Sequence, residues 1–301
     1  MKSGNRAADK QCVWLRFLSA QILRAVLITL IAGLFGAVLV RFSPGFDSDE
    51  RDLDMRLSAA THRADARARA AEHDVLAFYV SWLGAAAHGE FGQSRSMNRP
   101  VRELLAERLP VTARLMAAGG LLGLMAGLLG AGIAVGRRSR IAENILGPGS
   151  GLLLSAPPAV TALLLLWLDY DPALAIAIAV CPYVFRYAFG LLRESASALH
   201  VTGGRARGVG EVRLFFSHIL LPVAPQLASV ATISAAVAFG AAIPVEVICD
   251  RAGVGQLAWQ AALGRDMPVL VAVTLLITLM IVAVNAFSEV VLVMCSREPR
   301  T

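Results

Sequence analysis

The sequence predicts an all-α integral membrane protein with six transmembrane helices and an external insert between the first two. Hydrophobic residues make up 56% of the 301-residue chain, whereas charged residues make up only 17%. The hydrophobic residues are gathered into runs, and the runs 115–135, 219–245 and 267–288 contain no charged residue. Because a helix needs about 20 apolar residues to cross a bilayer, these three runs already indicate the class.

The first transmembrane helix is predicted over residues 25–40, a short apolar run between Arg24 and Arg41. A basic segment precedes this run, as it does in a cleaved signal peptide. No small-residue cleavage site follows the run before Arg41, so we interpret it as a retained helix.

The third and fourth helices are predicted over residues 145–168 and 172–192, which both contain interruptions. Pro157 and Pro158 each remove a helical hydrogen bond, and neighbouring membrane helices can compensate for that loss. We therefore expect a kink in the third helix. Arg186 is the only charge in the fourth helix, and we interpret it as an anchor at the membrane interface.

Arginines in the short loops predict the orientation, because cytoplasmic loops carry an excess of basic residues. The resulting organisation has residues 1–24 in the cytoplasm, the first helix at 25–40 and an external insert at 41–112. A five-helix core follows at 113–295, with a cytoplasmic loop at 196–222, and a cytoplasmic tail ends the chain at 296–301. The formal charge of +6 does not indicate nucleic-acid binding, because the arginines are scattered at the ends of apolar segments and form no basic patch. We interpret these arginines as determinants of the orientation in the membrane.

The external insert has two predicted parts. Residues 47–74 alternate charge with alanine, which is typical of a solvated helix, whereas residues 78–93 are aromatic and glycine-rich and indicate a small packed subdomain on the membrane surface. The spacing of His62, His73 and His88 fits no compact ligand set, so no metal site is predicted. The four cysteines have no CxxC spacing and indicate no disulfide framework.

Three sequence blocks have a recognisable pattern: GRARGV at 204–209 with His218 ten residues after Gly208, GEFGQS at 89–94, and RPVRELLAERLPVT at 99–112. These blocks resemble those of the inner-membrane permeases of bacterial ABC importers for dipeptides, oligopeptides and nickel, specifically the first of their two permease subunits. The first block is similar to the ARAKGL-like core of a cytoplasmic loop in that family, which a histidine follows at the same spacing. The second resembles the family's GDLGxS, and the third resembles its RPV-x-E-L-I-x-x-R-L-P-x-T segment.

The last external loop carries the longest of these blocks. IPVEVICDRAGVGQLAWQAALGRDMP at 243–268 is similar to the family's V-x-E-x-x-F-x-x-P-G-x-G-x-L-x-x-x-A-x-x-x-R-D-x-P, and Asn285 and Glu289 fit its closing N-x-x-x-D/E pattern. This chain departs from the family at PGFD, residues 44–47, and at Ala252. Its 196–222 loop also lacks the acidic residue that gives the wider permease signature its name, and it carries glycines at 203 and 204. These departures indicate a divergent or specialised member of the family, or one with impaired coupling.

The resemblance implies a type I ABC importer permease fold, in which the 196–222 loop docks on an ATPase. The residues expected to make that contact are Arg205, Arg207, Gly208, Val209, Glu211, Val212, Arg213, Phe215, Phe216 and His218. The carboxylates Glu246, Asp266 and Glu289 are candidates for a gate or for the solute path. For Glu246 a structural hydrogen bond to the following loop is the alternative, and for Asp266 the alternative is a helix N-cap.

The function implied by the resemblance is that of half the translocation path of an ATP-driven importer for peptides or a related small solute. The implied partners are a second permease, two cytoplasmic ATPase subunits, an external solute-binding protein and membrane lipid, with no nucleic acid. The chain has no GxxxxGK[ST] motif, so ATP and magnesium are expected on the ATPase and no cofactor on this chain. The implied location is the bacterial inner membrane, with both termini in the cytoplasm.

Three alternatives belong to other classes. An ion-driven secondary transporter would show charged or broken helices near the midplane and repeated halves, and the Pro157–Pro158 break is its best support. A membrane scaffold or receptor without transport would use residues 47–74 to bind its ligand. A protease built on Ser150 would lack a base, because all five histidines lie outside the apolar runs, and no enzymatic activity is predicted.

Overall fold

The computed structural model describes residues 23–39, 75–136 and 149–295, and this part of the chain is almost entirely helical. The predicted all-α class is confirmed. In chain order the helices are α1 (Leu23–Leu39), α2 (Val75–Ala87), α3 (Val101–Gly136), α4 (Gly149–Ser155), α5 (Pro158–Trp167), α6 (Ala173–Ser197), α7 (Leu199–Ala206), α8 (Glu211–Leu214), α9 (Leu221–Ile248), α10 (Val254–Leu263) and α11 (Met267–Cys295). A π-helical turn, Phe215–Leu220, joins α8 to α9. The predicted solvated helix at 47–74 and the two terminal segments lie outside the described residues.

Four helices in the described ranges are long and apolar enough to cross a membrane: α3, α6, α11 and the continuous helix Glu211–Ile248. Helices α4 and α5 meet at a bend of 94° and make a fifth span if the pair is counted as one. This bend lies at Pro157 and Pro158, so the predicted kink is confirmed. Helix α1, at the predicted first span, is a shorter apolar helix, and the total of six stays a prediction.

The chain divides into two compact units, of which the first comprises residues up to Arg108 and Leu257–Val282. Here α1 lies close to α11, because a Cβ on Gly33 would meet the Leu275 side chain and one on Gly36 would meet Thr274. The Tyr79 hydroxyl of α2 donates to the carbonyl of Leu30 at 2.7 Å. These contacts join the first apolar helix to elements that are distant in sequence.

Helix α3 begins at Val101, inside the segment that the sequence assigns to the external insert. The helix runs through Pro110 without a described break and ends at Gly136. Before its first turn, Arg99 donates to the two carboxylate oxygens of Glu107 at 3.0 and 2.6 Å. Both side chains are about half exposed, so this ion pair contributes little stability.

The second unit, Leu109–Gln256 with Ala283–Thr301, contains the close approach of α3 to α6. Gly119, Gly123 and Gly127 lie four residues apart on α3, and a Cβ on any of them would press on a backbone carbonyl and a β-branched side chain of α6. Small residues at this spacing let two membrane helices pack backbone against backbone. Helix α6 also packs on α9 around a core of small and branched residues, which includes Val180, Val184, Ala238 and Val245.

Candidate functional site

The 196–222 segment forms two short helices joined by a tight turn. Helix α7 ends at Ala206, and Gly208 follows with a φ of +76°. The amide of Gly208 donates to the carbonyl of Arg205 at 2.9 Å, and the amide of Val209 donates to that of Gly204 at 3.2 Å. This hydrogen-bond pair with a left-handed glycine is a Schellman motif, which ends the helix and turns the chain toward α8.

The two glycines at 203 and 204 have different surroundings. A Cβ on Gly203 would meet open space, whereas a Cβ on Gly204 would lie 2.8 Å from the Cδ1 atom of Leu214. Leu214 is fully buried, so its side chain has little room to move away. Gly204 therefore lets α7 approach α8 closely, which gives a structural reason for one of the two departures from the family pattern.

An ion pair joins the two helices across the turn. The Nε of Arg205 donates to Oε1 of Glu211 at 3.0 Å, and Nη2 donates to Oε2 at 3.3 Å. Arg205 lies in the last turn of α7 and Glu211 in the first turn of α8, so each charge also complements its helix dipole. The Arg207 guanidinium instead donates to the carbonyl of Gly203 at 3.2 Å.

The apolar residues of the segment divide between an inner and an outer face. Leu214 is fully buried, and Val209 and Phe215 pack against the core that contains it. Val212 and Phe216, in contrast, are 74% and 59% exposed. Arg213 lies between them in sequence and is also exposed. Of the apolar residues expected to meet an ATPase, only Val212 and Phe216 are presented outward by this chain.

Two side chains contact the carbonyls of the π-turn. The ring of His200 makes a hydrogen bond through Nε2 to the carbonyl of His218 at 3.0 Å, and Ser195 Oγ donates to the carbonyl of Ile219 at 2.9 Å. The enclosed Nδ1 of His218 has no hydrogen-bond partner among the described residues. His218, singled out from its spacing to Gly208, thus contributes its backbone carbonyl to this contact.

Glu246 is fully buried near the end of α9, where it contacts the start of α10. Its Oε2 accepts a hydrogen bond from the amide of Gly255 at 2.7 Å. The neighbouring amide of Val254 donates to Thr112 Oγ1 at 2.8 Å. The first amides of a helix lack intrahelical acceptors, so Glu246 and Thr112 together cap α10. The expected structural hydrogen bond of Glu246 is present.

Glycines make room for this buried carboxylate. A Cβ on Gly253 would overlap the carboxylate of Glu246, and a Cβ on Gly255 would lie 2.7 Å from the Cα atom of Ile243. A side chain at 253 would displace the Glu246 carboxylate from its capping position, and one at 255 would press on the backbone of α9. The two glycines are therefore explained by the space that this carboxylate and the α9 backbone occupy.

Asp266 is also fully buried, immediately before α11. Its Oδ2 accepts from Ser94 Oγ at 2.6 Å, from Ser96 Oγ at 2.9 Å and from the amide of Ser96 at 3.0 Å. Its Oδ1 has no hydrogen-bond partner among the described residues. The carboxylate thus ties the 94–96 turn to the start of α11, whereas sequence reasoning expected it to cap the amides of α11.

Glu289, the third candidate carboxylate, belongs to α11 but lies outside the part of that helix whose side chains are described. In the described ranges, no group of three or more histidine, cysteine, aspartate or glutamate side chains is arranged to hold a metal ion.

Comparison with known proteins supports the interpretation of these blocks. Residues 119–300, more than half of the chain, match the family model of the binding-protein-dependent transport system inner membrane component. The chain belongs to this family. It is 30% identical over 244 residues to a putative peptide permease protein of Brucella ovis, an alignment that covers 70% of this chain and 75% of the relative.

Two further relatives align along most of their length. The oligopeptide transport system permease protein OppB of Salmonella typhimurium is 26% identical over 291 residues, covering 87% of this chain and 92% of the relative. The nickel import system permease protein NikB of Staphylococcus aureus is 20% identical over 296 residues, an alignment that covers 93% of this chain and 90% of the relative. This permease therefore belongs to the ABC importer group that includes peptide and nickel permeases, and it is a transport subunit, not an enzyme.

Sequence reasoning about this permease missed five polar side chains that the fold places at these contacts: Ser94, Ser96, Thr112, Ser195 and His200. Ser94 and Thr112 lie inside the blocks 89–94 and 99–112 that carry the family resemblance, and Ser96 lies between those blocks. The resemblance could therefore have drawn attention to these three side chains. Ser195 and His200 lie outside every block. Their partners are backbone carbonyls, which no sequence pattern identifies.

Proposed function

We propose that this permease forms half of the translocation path of an ATP-driven importer and couples that path to a separate ATPase through the 196–222 segment. The observation that carries the proposal is the exposed apolar pair Val212 and Phe216. Both residues belong to the helix that continues as the apolar span Glu211–Ile248. A partner that held this pair would therefore act directly on a membrane helix.

The charges around this pair suit a protein partner. Interfaces commonly have an aromatic anchor at the centre and a polar rim. The segment that presents Phe216 also carries the exposed Arg213 and the Arg205–Glu211 pair. ATP would drive transport by favouring one arrangement of the helices, which requires that the ATPase bind the two arrangements with different affinity. The Schellman turn at Gly208 would set the direction in which α8 leaves α7 and so the position of the docking surface.

The proposed solute and the proposed partner proteins are inferred by analogy with the relatives. We propose a peptide-like solute, because the Brucella ovis relative is named a putative peptide permease and the Salmonella typhimurium relative an oligopeptide transport system permease. The proposed partners are a second permease, two cytoplasmic ATPase subunits and an external solute-binding protein in the bacterial inner membrane, with both termini of this chain in the cytoplasm. Of the candidate carboxylates, we assign Glu246 and Asp266 to loop positioning and keep Glu289 for the path.

The docking proposal is tested by replacing the exposed apolar pair. Tagged full-length chain is purified from host membranes, and the bound ATPase is identified by its GxxxxGK[ST] motif and its ATP hydrolysis. V212A/F216A should retain about one thirtieth of the affinity for the ATPase, because truncating an anchor residue costs about 2 kcal/mol. Leu263→Ala, a control at a residue that is 69% exposed on α10, should bind normally.

Two results would contradict the proposal. Equal ATPase binding by V212A/F216A and by the parent chain would exclude this pair as the docking surface. Solute uptake that is abolished by a proton ionophore and unaffected by ATP depletion would identify an ion-driven transporter instead.

A further inference from the structure

A π-helical turn, Phe215–Leu220, lies where the 196–222 segment joins α9, and Pro222 explains why the α-helical hydrogen bonding changes there. In an α-helix the carbonyl of His218 would accept from residue 222, but Pro222 has no amide hydrogen and its ring would collide with that carbonyl. The chain forms a π-turn here, in which the amide of Leu221 donates to the carbonyl of Phe216, five residues earlier. The carbonyl of His218 thus lacks its usual α-helical donor and can accept from a donor outside the helix.

His200 supplies that donor. A carbonyl oxygen only accepts, so the 3.0 Å contact requires that Nε2 of His200 carry the hydrogen. His200 belongs to α7, so this bond ties α7 to the π-turn.

Ser195 makes a second bond of the same kind, from the last turn of α6 to the carbonyl of Ile219 at 2.9 Å. Both Ser195 and Ile219 are buried, and Leu214 and Leu192 pack in the same core. A buried hydrogen bond shielded from water resists opening more than an exposed one. The π-turn is therefore bonded to α6 through the buried Ser195 and to α7 through the exposed His200.

We propose that Ser195 and His200 are positioning residues that clamp this π-turn, so that movement of the 196–222 segment is passed to α9 and α6 together. Without the clamp, the turn at Pro222 would bend, and the displacement would be absorbed locally. Helices with π-turns and interior prolines are the usual sites of such bending. The coupling role rests on the proposed function, whereas the clamp itself does not.

Hydrogen–deuterium exchange tests the clamp on the purified full-length chain in lipid nanodiscs. Ser195→Ala and His200→Ala should each speed amide exchange in peptides that cover residues 214–224 by about fivefold, the effect of losing one hydrogen bond. Ser197→Ala is the matched control, because the hydroxyl of Ser197 lies on the same helix and donates only to the nearby carbonyl of Glu194. His200→Gln keeps an N–H donor and should preserve protection. Equal exchange in Ser195→Ala, His200→Ala and Ser197→Ala would overturn the clamp.

The coupling role is tested on the assembled transporter by measuring the ATP hydrolysed per solute molecule taken up. Ser195→Ala and His200→Ala should raise this ratio while the chain remains in the assembly, and Ser197→Ala and His200→Gln should leave it unchanged. Faster exchange with an unaltered ratio would overturn the coupling role and leave the proposed function intact. A chain that binds no ATPase in any variant would instead overturn the proposed function, and the exchange result would still decide the clamp.

Discussion

At the scale of single residues, the glycines beside Glu246 show how one buried carboxylate restricts its neighbours. Gly253→Ala should destabilise the detergent-solubilised chain by about 1–3 kcal/mol, because the new Cβ would overlap that carboxylate and overpack the loop. Gly240→Ala lies on α9, where a Cβ meets open space, and should not lower the melting temperature. Equal melting temperatures for the two variants would show that Gly253 is not needed to make room for the Glu246 carboxylate.

Asp266 makes a second residue-scale prediction. Asp266→Ala leaves the hydroxyls of Ser94 and Ser96 without their shared acceptor in a buried site, at a cost of about 1–3 kcal/mol for each buried donor that loses its partner. We expect a lower melting temperature and faster proteolysis in the 89–100 turn. Glu90→Ala, at an exposed carboxylate in the same turn, serves as the control and should change neither measurement. Unchanged proteolysis in Asp266→Ala would show that the carboxylate does not hold the turn.

At the scale of elements, the packing of α3 on α6 depends on the row of glycines along α3. A Cβ on Gly123 would lie 2.8 Å from both the carbonyl oxygen of Ala177 and the Cβ of Val180. Gly123→Ala should therefore force the helices apart and lower the melting temperature. Gly120→Ala, whose new Cβ would lie at an ordinary 3.5 Å from Ala238, should be tolerated. Comparable melting temperatures for both variants would indicate that the helices do not pack through this row.

The coupling segment shows how element-scale geometry selects among residues that look equivalent in sequence. Val212 and Phe216 are exposed, whereas Leu214 between them is buried, because a helix turns each successive residue by roughly 100° and only one face meets the core. The two neighbouring glycines also differ: a Cβ on Gly203 would meet open space, whereas a Cβ on Gly204 would meet the buried Leu214 side chain. Sequence reasoning listed Val212 and Phe216 together with the partly buried Val209 and Phe215, and it treated the two glycines alike, whereas the helix packing separates them.

At the scale of the whole molecule, the number of membrane spans determines the sides on which the termini lie. Six spans place both termini on one side, and five place them on opposite sides. We expect a cytoplasm-dependent fluorescent reporter to be active at either end of the chain and a periplasm-dependent phosphatase to be inactive there. A phosphatase inserted in residues 47–74 should be active and serves as the positive control. Phosphatase activity at only one terminus would show an odd number of spans.

The sequence by itself determined the class, the positions of the main apolar helices and the family. These properties depend on composition, on run length and on short blocks whose spacing is preserved along the chain. The double proline was sufficient to predict the break between α4 and α5, because a proline acts on the backbone within its own helix. Pro222 also acts within its own helix, because it has no amide hydrogen to donate to the carbonyl of His218.

Only the tertiary structure decided which polar groups meet. Asp266 accepts from serines about 170 positions away in sequence, and Thr112 accepts from Val254 across 142 positions. Ser195 and His200 bond to backbone carbonyls, which every residue possesses. Burial favours such contacts for the groups removed from water, because those groups lose their hydrogen bonds to water, but the identity of the partner depends on how the helices pack.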